Sequence, residues 1–171
     1  MMILITGGSK SGKSRIAEDL LLGIDRKIYL ATMEPFGEEA AAAISRHRKM
    51  REGKGFETIE KSVDIHEIEL PDNVGGVLVE CLSTLCANEM FSGNEQNPVE
   101  KILCGIKLLR EKTQRLIIVT SNVSCDGIEY SLETQNYIRV LGETNRKIAE
   151  ISDIVIESVF GIPVTLKGAR L

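Results

Sequence analysis

Tryptophan is absent from this 171-residue chain, and aromatic residues make up only 4% of it. That excludes an aromatic platform for stacking bases, and equally an aromatic shelf for sugars. Histidine occurs twice, as His47 and His66, and none of the four cysteines stands in a Cys-x-x-Cys pair. Zinc spacing is therefore missing, and the cysteines read as reduced thiols, with Cys81 and Cys104 expected among buried apolar neighbours. No apolar run approaches the ~20 residues of a membrane span. No basic leader precedes the first apolar run, and no Lys/Arg block suits a nucleic-acid backbone. With a net charge of -4, the expectation is a cytoplasmic protein with no nucleic-acid partner and no membrane span.

What is present begins at once. Met2-Ile-Leu-Ile-Thr6 is a short, branched, apolar strand. It feeds into Gly7-Gly8-Ser9-Lys10-Ser11-Gly12-Lys13-Ser14, a phosphate-binding loop. Gly7, Gly8 and Gly12 let successive N–H groups converge on a phosphate, with Ser9, Lys10 and Ser11 completing the nest. Lys13 adds positive charge toward the β and γ phosphates, Ser14 offers a hydroxyl to Mg²⁺, and the helix opening at Arg15 turns its N-terminus to the nucleotide.

Strand, helix, strand then recurs. Lys27–Thr32 reads as a second strand, Glu38–Glu52 as a helix whose last turns are basic, and Phe56–Glu60 as a short strand. Val63–Leu70 is expected as a short helix. Gly76–Glu80 is apolar at successive positions, as in a strand covered on both faces, and ends on a carboxylate. Glu80 is thus a candidate for the metal shell opposite Ser14, although a surface glutamate at a strand end has the same pattern. Helices follow at Leu82–Phe91 and Pro98–Lys112, a strand at Arg115–Thr120 and a long helix at Ser131–Ser152. The strands on either side of a Gly161-Ile162-Pro163 turn should close the sheet edge as a hairpin. The expected fold is an α/β three-layer P-loop NTPase, mostly parallel, as a single nucleotide-binding domain over residues 1–171.

Around His47 stand Arg46, Arg48, Lys49 and Arg51. Two readings fit: a solvated basic helix with an incidental histidine, or cations that hold a triphosphate while a neutral imidazole attacks phosphorus. Nearby positive charge favours the neutral imidazole. His66, flanked by Asp64 and Glu67, sits where carboxylates repel a triphosphate.

Several stretches together resemble one known family. They are Ile3–Ser14, Tyr29-Leu-Ala-Thr32, Ile44-Ser-Arg-His-Arg48, Phe56–Glu60, Val79-Glu-Cys-Leu-Ser-Thr84, Asn145-Arg146 and Gly161-Ile-Pro163. In this order they are similar to the bifunctional adenosylcobinamide kinase/adenosylcobinamide-phosphate guanylyltransferases. The resemblance implies phosphorylation of adenosylcobinamide by ATP or GTP. It also implies transfer of GMP from GTP to adenosylcobinamide phosphate through a covalent histidine. On that resemblance His47 is the nucleophile, and Lys13 a catalytic partner. Arg48, Arg51, Glu60 and Glu80 join residues 7–14 in binding nucleotide, Ser14 and Glu80 hold Mg²⁺, and the chain forms a homo-oligomer, a trimer.

The chain departs from the family where a first histidine is Arg46, where a tryptophan is Phe56, and in the loop Ser121–Tyr130. That loop lacks an acidic residue, a glycine and a proline of the family pattern. A nucleotide-binding regulatory protein of the same fold, or a P-loop kinase of another small molecule, would carry the same loop and basic helix.

Overall fold

In the computed structural model the residues described are 1–34, 42, 44–46, 48, 49, 51–92, 96–123 and 129–169. Among them the elements run β1 (Met2–Thr6), α1 (Lys13–Asp19), β2 (Lys27–Ala31), β3 (Phe56–Glu60), β4 (Gly76–Glu80), α2 (Leu82–Phe91), α3 (Pro98–Lys112), β5 (Arg115–Val119), α4 (Leu132–Ile151), β6 (Ile154–Val159) and β7 (Ile162–Lys167). Residues 42, 44–46, 48, 49 and 51 are also helical, in keeping with the basic helix expected there.

The strands form one sheet in the order β3-β2-β4-β5-β1-β6-β7. Every pair is parallel except β6 with β7. Because side chains alternate across a strand, each central strand feeds two cores. Met2, Leu4, Ile28, Leu30, Val77, Val79, Leu116 and Ile118 pack on one face against Leu82 and Leu85 of α2, Ile102 and Ile106 of α3, and Leu141 and Ile148 of α4. Ile3, Ile5, Tyr29, Leu78, Ile117 and Val119 pack on the other against Ala17 of α1 and Leu21 beyond it. These are the three layers of the α/β P-loop fold.

Register lines up the strand ends that matter. Ala31 lies opposite Glu80, and Glu80 opposite Val119. The C-terminal ends of β2, β4 and β5 therefore share one edge, where open parallel sheets hold their ligands.

Three expectations are corrected. The helix expected over Val63–Leu70 is a single 3-10 turn, Ile65–Glu67, entered from Asp64 at φ 55 and left through extended backbone at Ile68. Those angles stop an α-helix at both ends. The C-terminal turn falls at Phe160–Gly161, so Ile162 and Pro163 belong to β7. Pro163 is tolerated because β7 is an edge strand, which spares its missing donor. Cys104 is exposed, and Cys81 is half-buried. Only Cys86 is a buried thiol among the described cysteines, and burial pushes it up to about 11.

Candidate active site

The phosphate loop closes between β1 and α1. Gly7 at φ 142 and Gly12 at φ 96 have angles that side chains rarely adopt. They also face a close neighbour: a Cβ on Gly7 would stand 2.6 Å from the Ser158 carbonyl oxygen, and one on Gly12 would stand 3.1 Å from Cα of Gly161. The neighbour is the β6–β7 hairpin. Its Gly161 N–H and Ser158 hydroxyl both donate to the Ser11 carbonyl, at 2.8 and 2.6 Å. The hairpin thus braces the loop as well as closing the sheet, a contact between residues too far apart in sequence for any local pattern to show.

Lys13 is almost fully buried, and its Nζ donates to the carbonyls of Gly7 and Gly8 at 2.9 and 2.6 Å. Burial holds its ammonium below the usual lysine range, opposed by Cys81 and Glu80. Ser14 donates its hydroxyl proton to Glu80 Oε1, so the end of β4 and the start of α1 meet side chain to side chain. A hydroxyl and a carboxylate from those positions are the hard oxygen donors that suit Mg²⁺. Ser14 and Glu80, expected on opposite sides of one metal shell, lie within hydrogen-bond reach of each other.

Above this floor lies a cleft of about 470 Å³. Its lining includes Ser9, Lys10, Lys13 and Ser14 of the phosphate loop, Arg46, Arg48 and Arg51, and Glu60 and Glu80 at the strand ends. Gly7, Gly8, Ser11 and Gly12 complete the loop without being among the lining residues. Arg48 Nη2 donates to Glu60 Oε1 at 2.9 Å, an exposed pair that orients both side chains more than it stabilises them. Arg51 is buried, with its guanidinium carbon 3.3 Å from the centroid of the Tyr29 ring. A desolvated cation over an aromatic face contributes about 2 kcal/mol. Burial, reinforced by Glu80, pushes the Tyr29 hydroxyl far above the usual tyrosine range, and Arg51 opposes it.

His47 lies outside the described residues, as do 124–128 of the altered loop. Asn122 and Val123 of that loop line the cleft, and Asn122 Oδ1 accepts from Thr6 at 3.0 Å. His66 is not among the residues lining the cleft. Its Nε2 stands 3.9 Å from Glu67.

Sequence reasoning gave Tyr29 and Thr58 no role beyond their strands and the family stretches that contain them, and Asn122 none beyond the altered loop, whereas all three line the cleft. For Tyr29 a signal existed: it is the single aromatic in the apolar β2.

One cleft thus joins a phosphate loop, a hydroxyl–carboxylate pair and a row of arginines, an arrangement able to hold a triphosphate along its length. Residues 3–166 match the family described as cobinamide kinase / cobinamide phosphate guanyltransferase. The chain belongs to that family. It is a transferase of cobalamin biosynthesis, a kinase and guanylyltransferase by kind. It is 33% identical to the bifunctional adenosylcobalamin biosynthesis protein CobU of Escherichia coli, over 98% of this chain and 100% of that protein. The CobU of Salmonella typhimurium is 31% identical over the same shares, and CobP of Pseudomonas aeruginosa 28% identical over all of both chains. Among solved structures, a KaiC-like protein of Pyrococcus horikoshii superposes with a TM-score of 0.51 at 16% identity, covering 91% of this chain and 69% of that one. A second protein of that organism gives 0.54 at 10% identity, covering 99% and 87%. Both show likeness of fold alone. Among the described residues, no helix is long and apolar enough to cross a membrane.

Proposed function

We propose that this family member phosphorylates adenosylcobinamide with ATP or GTP, then transfers GMP from GTP to adenosylcobinamide phosphate through a histidine-GMP intermediate on His47, giving adenosylcobinamide-GDP. The observation that carries the reading is that one cleft is lined both by the phosphate loop and by Arg46 and Arg48, the chain neighbours of His47. In the covalent step the lone pair of a neutral imidazole nitrogen forms a P–N bond to the α-phosphorus. The bond from that phosphorus to the bridging oxygen breaks, and pyrophosphate leaves with the electron pair. Lys13 and the loop N–H groups hold the β and γ phosphates, while Arg48 and Arg51 spread the charge that gathers on the leaving group. In the second step a phosphate oxygen of the corrinoid attacks, and the P–N bond breaks.

Ser14 and Glu80 would hold Mg²⁺, which when bound supplies charge neutralisation at the phosphates. Glu80→Ala should then keep nucleotide binding but lower magnesium-dependent turnover. An unchanged magnesium requirement would return Glu80 to a strand-end role.

The whole chain, residues 1–171, is read as one nucleotide-binding domain. We place it in the cytoplasm, where Cys81, Cys86 and Cys104, free in the fold, stay reduced. A homo-oligomer, by family resemblance a trimer, is supported by the exposed apolar side chains of Phe160, Ile162 and Leu166 on the edge hairpin.

The test is intact-protein mass spectrometry after incubation with Mg²⁺ and GTP or ATP. A GMP adduct is expected from GTP, labile in acid and stable in base. It should vanish in His47→Ala and persist in His66→Ala. Binding without an adduct would favour a regulatory protein or a kinase of another small molecule, and an adduct in His47→Ala would reduce the basic helix to a phosphate clamp.

A further inference from the structure

Behind Arg51 lies a cluster to which the transfer chemistry assigns no role. Glu18, in the last turn of α1, is fully buried. Its Oε2 pairs with Lys54 Nζ, while its buried Oε1 has no hydrogen-bond partner among the described residues. Lys54 lies one turn beyond Arg51, its N–H donating to the Arg51 carbonyl at 3.0 Å. Arg51 in turn sits over the Tyr29 ring, and its buried Nη1 also lacks a partner among the described residues. Four side chains from α1, β2 and the end of the basic helix therefore meet at the cleft wall, Tyr29 and Arg51 lining the cleft itself.

A buried carboxylate is a poor way to gain stability. Desolvation offsets most of the attraction in a buried ion pair, and an apolar replacement of similar volume is often neutral or stabilising. Burial accordingly raises the Glu18 carboxyl above the usual range, with Lys54 and Arg51 opposing. What the pair does supply is registration. Glu18 is five residues along a rigid helix from Lys13, and Lys54 is fixed by the turn to Arg51. The ion pair joins the element that grips the phosphates to the element that carries the arginines.

We infer that Glu18 is a positioning residue: through Lys54 and Arg51 it sets the basic helix at the separation from the phosphate loop that guanylyl transfer requires. The inference rests on the guanylyl-transfer reading above. A misplacement of 1 Å can cost about a hundredfold in rate, so a residue that touches no substrate can govern turnover.

Glu18→Gln, close to isosteric, tests it. At saturating GTP, single-turnover formation of the GMP adduct should slow about tenfold or more, while equilibrium binding of GTP should fall by no more than the roughly tenfold expected for loss of the Arg51 contact, because the phosphate loop is intact. Lys54→Arg should keep most of the rate. The double variant Glu18→Gln/Lys54→Gln should be no slower than the slower single one, since both remove the same link. Unchanged adduct rates in Glu18→Gln, or additive effects in the double variant, would overturn the inference, whatever happened to the melting temperature.

A second readout does not depend on the chemistry. The chain has no tryptophan and three tyrosines, so in a Tyr130→Phe/Tyr137→Phe background emission comes from Tyr29 alone and reports its stack with Arg51. Glu18→Gln should change that emission. If the wild-type protein formed no adduct but emission responded, the transfer reading would fall and the link would stand. If emission did not respond, the link would fall as well.

Discussion

Two fully buried glutamates, each under a lysine, hold different parts of this molecule together, and they are finished to different degrees. Glu89 of α2 lies 2.8 Å from Lys101 of α3 and accepts the Asp64 N–H at 2.7 Å, while Lys101 also reaches Asp64 at 2.5 Å. There each Glu89 oxygen has a partner, Oε1 the Asp64 N–H and Oε2 the Lys101 ammonium as an ion pair without a hydrogen bond of its own, and the cluster ties the 3-10 turn to two helices. At Glu18 one oxygen and the neighbouring Arg51 Nη1 are left without partners among the described residues, beside a cleft. A closed network fixes architecture; one with unmet bonds costs stability, so its place beside a pocket points to positioning.

The comparison breaks most sharply at Lys101. Lys101→Met should leave Glu89 buried and uncompensated, costing about 3–5 kcal/mol in urea unfolding, with turnover per folded molecule unchanged. A loss of turnover beyond the loss of folded protein would mean that this cluster also serves the cleft. Lys13→Ala should do the reverse. Triphosphate binding and turnover should fall about 10²–10³-fold, while circular dichroism shows the fold intact. Wild-type nucleotide affinity in that variant would count against the loop assignment.

Smaller effects sharpen the contrast. Tyr29→Leu removes the surface on which Arg51 lies and should weaken triphosphate binding about tenfold, the scale of a desolvated cation–π contact. Equal affinity measured by calorimetry would show that Arg51 is held by other contacts. Asp64→Asn should cost about 1 kcal/mol or less at pH 7, because the site is partly exposed and water screens the pair. Its hydrogen bond to Lys101 holds the Asp64 carboxyl below the usual range. That contribution is present above the unfolded value of about 3.9 and is lost as pH falls through the lower folded value. The gap between Asp64→Asn and wild type should therefore close on acidification below about pH 4, and a gap that persisted there would assign the effect to packing.

What could be read from the sequence was local and periodic. The phosphate loop declares itself because glycine, lysine and serine at fixed spacing follow a strand, and α3 falls at Pro98–Lys112 as expected because proline opens it and apolar residues recur on one face. Glu80 could be singled out only as the carboxylate that ends a buried strand, yet the fold sets it against Ser14. The failures are of the opposite kind. Val63–Leu70 looked helical by composition, but Asp64 takes a left-handed angle that composition does not encode. Cys104 sits among apolar neighbours in sequence and still points outward, because Leu103 and Ile106 take the inward face of α3. The Arg51–Tyr29 stack and the Glu18–Lys54 pair join residues 22 and 36 apart, and no pattern of spacing announces such a meeting. His47 could be reached only from its neighbours and from family resemblance.

The brace on the phosphate loop bears on how the protein is made. Ser11 precedes by 147 residues the Ser158 hydroxyl that bonds its carbonyl, so the loop leaves the ribosome well before its brace. β1 itself lies between β5 and β6, so its seat in the sheet does not exist until both have been translated. The strand that carries the loop is thus made before the strands that fix it. A nascent chain stalled before β6 would carry the entire nucleotide motif and still lack the scaffold that shapes it, so competence to bind arrives only once the β6–β7 hairpin has been made.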